Sequence, residues 1–306
     1  MSSLRLRQLR EEDADDVARL FVEEWGESRQ MNGDEIRQWF HNEALNPENL
    51  LVLVDPDDRV VGYFDVWHEG DYVDVDVAAP GFWDEALDHA ENRARALGAK
   101  RVRTFFVEGH DLTGRVSQRG YRTIRSSWTM EIEFGVEAPA EPVIPDGIEI
   151  RTYRHPDDEQ AVYEALQEAF ADNWDFHPEP IERWREFSVK WRNFDPDVWL
   201  VAWDREQVVG ASLNYPERAD DPGHGFVGTI GVRRPWRRRG VGEALLRRTF
   251  ALLHARGLRK VRLSVDAESP TGATRLYERV GMSVLRRSNT WERSLPGAGS
   301  TEPADT

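Results

Sequence analysis

The order of elements in the first half of the chain recurs in the second, and this recurrence constrains the fold more tightly than any single motif. Leu4-Arg5-Leu6-Arg7 matches Ile148-Glu149-Ile150-Arg151, and Val60-Val61-Gly62 matches Val208-Val209-Gly210. Ala96-Leu97-Gly98 matches Ala255-Arg256-Gly257, and Arg119-Gly120-Tyr121 matches Val280-Gly281-Met282. The offset grows from 144 to 148, 159 and 161, so each half reads as one complete unit, with small insertions in the second copy. At 306 residues the chain is long enough for each copy to bury its own core.

Within the first copy, alternating residues 4–9 read as a strand, and residues 13–24 and 33–45 as helices. Residues 50–54, 59–67, 72–77 and 101–107 read as strands, with a helix over 83–97 that stops at Gly98. The second copy repeats the plan, with helices over 157–170 and 180–194 and strands over 199–203, 208–215, 224–232 and 259–266. Glycines at 223, 225, 228 and 231 predict bulging or a close ligand approach along the strand 224–232. Between the copies, residues 135–147 are rich in Pro, Ala and Gly and read as a semi-rigid linker. The expected boundaries are 1–134, the linker 135–147, 148–293, and a disordered tail 294–306 almost devoid of apolar residues.

One stretch of the second copy carries chemistry. A β-branched run ends at Ile230-Gly231-Val232, a Pro-containing turn follows, and Arg237-Arg238-Arg239-Gly240-Val241-Gly242 opens a helix with apolar residues at Leu246, Phe250 and Leu253. Gly240 and Gly242 allow a backbone to approach a ligand closely, and the first helical turn has N–H groups without intrahelical partners. With about half a positive charge from the helix dipole and five arginines between 233 and 239, the natural occupant is a phosphate or pyrophosphate.

Arg237-x-x-Gly240-x-Gly242 resembles the Q/R-x-x-G-x-G/A signature of the GNAT N-acetyltransferase superfamily. The segment from Ser269 through Ala273, Leu276 and Tyr277 to Gly281-Met282 resembles that family's N-x-x-A-x-x-L-Y-x-x-x-G-F stretch, with Ser269 where Asn is usual and Met282 for Phe. The resemblance implies two tandem GNAT domains of mixed α/β fold, with acetyl-CoA as co-substrate. It assigns the cofactor contacts to Ile230, Gly231, Val232, Arg237, Arg238, Arg239, Gly240, Val241, Gly242, Ser269 and Ala273. Tyr277 becomes the proton donor to the departing thiolate, and a backbone N–H around Gly231 or Val232 the oxyanion donor. The connection between the first two helices forms part of the acceptor wall in this family, which makes Asp172, Asp175 and His177 candidates for holding or deprotonating an amine. Many relatives carry a Glu on the strand before the phosphate loop; here Gly225 to Thr229 holds no carboxylate, which leaves His224, an Asp acting through water, or an amine that enters neutral.

The first copy departs from this pattern. Val77 to Gly98 spans 21 residues against 25 for Val232 to Gly257, and Ala78-Ala79-Pro80-Gly81-Phe82-Trp83 stands in place of the arginine-glycine loop. Val116 falls opposite Tyr277, so the first copy is expected to keep the fold and to have lost the cofactor site.

Charge and composition narrow the function. Of the net charge of −16, residues 1–146 hold 16 basic against 31 acidic side chains and the remainder 24 against 25. A strongly acidic half repels nucleic acid, and a near-neutral half with clustered arginines suits a polyanionic cofactor. The chain has no Cys and no 18-residue apolar run or leader, so disulfides, thiolate metal sites, a membrane partner and export are not expected, and a cytoplasmic enzyme is. The oligomeric state is left open by the sequence, and a monomer is compatible with it. The expectation is transfer of an acetyl group from acetyl-CoA to the primary amine of a small-molecule acceptor by direct attack. The tandem layout is also similar to that of the mycothiol synthases of the family, which acetylate a cysteinyl amine on a pseudodisaccharide. A non-catalytic acyl-CoA-binding regulator is the other reading left open.

Overall fold

The first half forms β1 (Arg5–Gln8), α1 (Ala14–Trp25), α2 (Gly33–Trp39), β2 (Leu50–Val54), β3 (Val60–Glu69), β4 (Tyr72–Ala78), α3 (Trp83–Ala96), β5 (Arg101–Val107), α4 (Thr113–Gln118) and β6 (Arg122–Glu133). The second forms β7 (Ile148–Thr152), α5 (Glu159–Phe170), α6 (Ile181–Glu186), β8 (Leu200–Asp204), β9 (Gln207–Tyr215), β10 (His224–Val232), α7 (Val241–Ala255), β11 (Lys260–Asp266), α8 (Ala273–Arg279) and β12 (Ser283–Ser294). The structure, a computed structural model, describes residues 4–26, 29, 31–216 and 224–295; Gly223 and residues 296–306 of the expected tail lie outside them, while the first two residues of that tail are ordered, Ser294 ending β12 and Leu295 buried. The helices α2 and α6 are shorter than the apolar pattern predicts, ending at Trp39 and Glu186.

Two compact units result, and they do not coincide with the two halves of the chain. One comprises the described residues up to Ser126 together with those from Ser288, and the other runs from Ser127 to Arg287. The first unit orders its strands β1-β2-β3-β4-β5-β12, the second β6-β11-β10-β9-β8-β7. In each, β4–β5 or β10–β11 is the parallel pair and the other ladders are antiparallel. The last strand of each half thus completes the sheet of the other unit: β6 pairs from Ser127↔Asp266 to Glu133↔Lys260, and β12 from Ser288↔Val107 to Ser294↔Arg101. Side chains fix these pairings. Met130 of β6 is fully buried in the core of the second unit, while Glu292 of β12 accepts from Arg103 at 2.8 Å and Arg101 at 2.9 Å in the first.

The repeat is visible in detail. Arg7 donates to Asp13 through two nitrogens at 2.6 and 2.8 Å while Asp13 caps the Arg10 amide; Arg151, Asp158 and Arg154 repeat the clamp at the same distances. Such paired, charge-assisted bonds fix the entry of α1 and of α5.

In the second unit, α7 forms because Leu246, Phe250 and Leu253 fall on one face and are almost wholly buried, each contributing about 1.5–3 kcal/mol of apolar burial. The helix stops at Gly257, which adopts φ 90°. Successive residues of β10 serve opposite faces of the sheet: a Cβ on Gly231 would point at Ala169 and Leu166 of α5, whereas the Val232 side chain meets the first turn of α7 at Gly242. Hence α5 and α7 cover opposite faces, with the end of β10 between them.

Candidate active site

The site begins where β10 and β11 part. Their parallel pairing runs from His224↔Lys260 only to Val227↔Leu263, whereas β10 goes on pairing with β9 as far as Val232↔Gly210. A register shift between Val227 and Thr229 puts a bulge at Gly228, as its glycine suggested. Beyond that point the strands open into a cleft of about 540 Å³, walled by β10 from Val227 to Val232, by β11 from Leu263 to Asp266, by the first turn of α7 and by α8.

Hydrogen-bond alternation decides which β10 amides face the cleft. The Arg233 amide donates to the Val209 carbonyl at 2.9 Å, so Gly231 also points at β9, and Ile230 and Val232 turn toward the side from which β11 has diverged. The Arg237 bond to the Val232 carbonyl agrees with this. Gly231 is therefore not the amide offered to a ligand; its missing side chain is what lets α5 lie on the strand.

In the loop between β10 and α7, Gly240 is the residue preceding α7 and adopts φ 86°, and no side chain caps the helix N-terminus. Two residues earlier in the turn, Arg238 also has a positive φ of 61°. This left-handed turn aims the first amides of a 15-residue helix into the cleft, which Gly240, Gly242 and Glu243 line while Val241 is buried beneath.

The five arginines divide by task. Arg233 bonds Glu168 at 2.7 Å and the Val208 carbonyl at 3.2 Å. Arg234 pairs with Asp172, and Arg237 donates to the Val232 carbonyl at 3.0 Å, Asp172 at 2.6 Å and the Ala169 carbonyl at 2.8 Å. Arg237 lines the cleft, but all three of its nitrogens are directed at the protein. Arg238 and Arg239 are exposed and have no carboxylate partner among the described residues; of these two, Arg238 lines the cleft and Arg239 does not. Arg279, also at the cleft, stands 3.7 Å from Glu243, whose other partner is Arg247 at 2.9 Å.

The remaining expected residues separate. Ser269, Ala273 and Tyr277 line the cleft with Ile230, Gly231 and Val232. Ser269 shares a hydrogen bond with Thr271 at 2.9 Å. Tyr277 is 6% exposed, and burial pushes its phenol up to about 12, so it carries its proton at neutral pH. Its hydroxyl makes no hydrogen bond among the described residues. Asp172 stands outside the cleft, its carboxyl lowered from its ordinary value by its bonds from Arg234 and then Arg237, which is the opposite of what a base requires. Asp175 and His177, 3.6 Å apart, are likewise outside it; from this connection it is Asn173, with Phe170 at the end of α5, that reaches the cleft. His224 begins β10 at the far end from Val232, where the strands are still paired, and does not line the cleft.

Sequence reasoning missed Asn173, Thr229, Glu243, Ser264, Asp266 and Arg279, all of which line the cleft. Ser264 and Asp266 could have been found from the alternation of β11 once the strand was known to border an opening. Asp266 accepts from the Glu268 amide at 2.9 Å and is one of the two cleft carboxylates, with Glu243.

In the first unit the parallel pairing also ends early, at Asp74↔Arg103, while β4 continues to Ala78. Aromatic side chains fill the region. Trp25 donates to the Val77 carbonyl at 3.1 Å and its ring lies 5.6 Å from Phe106 and 4.7 Å from His110, with Trp83 5.9 Å from Phe106.

The cleft of the second unit thus brings together a strand edge with amides turned toward it, a left-handed glycine turn and a helix end without a side-chain cap. Residues 159–282 match the family described as Acetyltransferase (GNAT). The mycothiol acetyltransferase of Geodermatophilus obscurus is 31% identical over 230 residues, 71% of this chain and 72% of that one. Among solved structures, a GCN5-related N-acetyltransferase from Sphaerobacter thermophilus is 32% identical with a TM-score of 0.74, covering 95% of each chain. A tandem GNAT protein from the clavulanic acid biosynthesis pathway superposes with a TM-score of 0.70 at 15% identity over 98% of this chain and all of that one, a likeness of fold. The chain therefore belongs to the GNAT acetyltransferase family, as an acetyl-CoA-dependent N-acetyltransferase of tandem architecture.

Proposed function

We propose that the second unit carries the active site and that the enzyme acetylates the primary amine of a small-molecule acceptor by direct attack. The observation that carries this reading is the divergence of β10 from β11 beyond Val227↔Leu263, directly before an uncapped helix N-terminus. Acetyl-CoA supplies the acetyl thioester. The amides of the first turn of α7 and the Arg238 guanidinium hold its phosphates, while Ile230 and Val232 offer N–H groups to the chain and to the carbonyl oxygen that gains charge. Tyr277 keeps its proton until a thiolate departs and then donates it. The deprotonation of the amine falls to Asp266 or Glu243 through water, or to solvent before entry, since Asp172 is engaged by arginines.

The acceptor we favour is the cysteinyl amine of a sugar conjugate, because several relatives of comparable length are named mycothiol acetyltransferases; that of Beutenbergia cavernae is 32% identical over 84% of this chain and 89% of its own. Asn173, Thr229 and Ser264 give the cleft neutral hydrogen-bonding groups of the kind a polyhydroxylated acceptor needs. The test is an acetyl-CoA-dependent thiol-release assay over cysteinyl sugars, polyamines, aminoglycosides and amino-acid amides. The reading expects turnover on the cysteinyl sugar well above the others; release with another amine class would replace the acceptor, and none with any would favour a binding protein.

A further inference from the structure

Asp172 is not in the cleft, yet it joins two parts that are. It lies one residue beyond Ala171, the C-cap of α5, between Phe170 and Asn173, both of which line the opening. Arg234 donates to both of its oxygens and Arg237 to Oδ2, and both arginines lie in the loop between β10 and α7 that ends in the glycine turn. Arg237 then closes the link, with one nitrogen on the Ala169 carbonyl at the end of α5 and another on the Val232 carbonyl at the end of β10. One carboxylate and one guanidinium thus tie the end of α5, the end of β10 and the phosphate loop together at 2.6 to 3.0 Å. Gly231 allows no slack here, since the Cβ it lacks would fall 2.9 Å from Ala169.

We propose that Asp172 is a positioning residue which couples the phosphate loop to the acceptor wall, so that CoA bound at the loop steadies Ala169, Phe170 and Asn173. The inference rests on the reading that the second unit binds the cofactor at this loop. Charge and position pull in opposite directions here, which makes the idea decidable. Removing a negative charge beside a polyanion site should, by electrostatics alone, tighten CoA binding. If Asp172 acts by position, its loss weakens it.

The experiment is amide hydrogen exchange of the full chain with and without CoA, paired with calorimetric titration, for wild type, Asp172→Asn and Asp172→Glu. In wild type, CoA should slow exchange both in 234–243 and in 165–173. In Asp172→Asn, saturating CoA should still protect 234–243 but leave 165–173 as in the free protein, with affinity down by about tenfold, a typical coupling between sites. Asp172→Glu, which keeps the charge within reach of both arginines, should restore most of the coupling. Undiminished protection of 165–173, or tighter CoA binding, in a folded Asp172→Asn protein would overturn the proposal. Absence of protection at 234–243 in wild type would instead remove the cofactor site from this loop, and the coupling with it.

Discussion

The backbone of Gly231 lies so close under Ala169 that a Cβ atom on the glycine would stand 2.9 Å from that of the alanine, with Leu166 and Phe170 at 3.1 Å. The end of β10 and the end of α5 are in direct contact, and the cleft wall is set by that contact. Gly231→Ala should therefore force α5 outward. Overpacking of this kind costs about 1–3 kcal/mol, and denaturant unfolding should show a loss in that range. Acetyl-CoA turnover should fall with it, because Ala169 and Phe170 line the cleft.

Tyr277→Phe separates a catalytic phenol from a core aromatic. The ring and its packing stay, the proton goes, and folding should hardly change. Turnover is expected to fall by ~10²–10⁴-fold with acetyl-CoA affinity little altered, and the loss should shrink for acyl donors whose thiol leaves more easily. Because burial raises the phenol to about 12, wild-type activity should show no basic fall below about pH 10. Steady-state rates from pH 6 to 10 check both points, and full turnover in the Phe variant would take Tyr277 out of the mechanism.

A third prediction concerns the first unit. Asp65 is 5% exposed, accepts from the Tyr63 hydroxyl at 2.8 Å and lies directly across the ladder from Asp76. Burial, and then the charge of Asp76, raise its carboxyl to about 7. A carboxyl whose folded value is raised contributes stability that is whole below its unfolded value near 4 and is lost as pH climbs toward 7. Thermal unfolding should thus show a decline in stability from about pH 4 to pH 7, and Asp65→Asn should flatten it. An unchanged slope in the variant would mean that other groups carry the dependence.

Much of the fold was legible because it is repeated. The match of Leu4 to Arg7 with Ile148 to Arg151 announced a duplicated strand, and the same clamp of arginine, aspartate and backbone amide follows each. The exchange of β6 and β12 was not legible: a terminal strand declares its own extended conformation, while its partner is chosen by distant groups such as Glu292 meeting Arg101 and Arg103. The strand, glycine turn and helix of the site were readable as a local pattern. Which arginine is left without a partner among the described residues was not, since five neighbours of identical chemistry are sorted only by where Glu168, Asp172 and three carbonyls happen to stand. The distance of His224 from the cleft follows from the direction and length of β10, which composition does not reveal.

Calorimetric titration of CoA into wild type and Gly240→Val tests the central claim most directly, that one cofactor binds per chain, at the glycine turn of the second unit. Gly240 adopts φ 86°, so a branched side chain there both crowds the approaching phosphates and strains the turn, at a folding cost of about 1–2 kcal/mol. The account predicts one site in wild type, since Trp25, Trp83, Phe106 and His110 occupy the corresponding region of the first unit, and an affinity at least about tenfold weaker in a folded Gly240→Val protein. Two equivalent sites, or wild-type affinity in the variant, would contradict it.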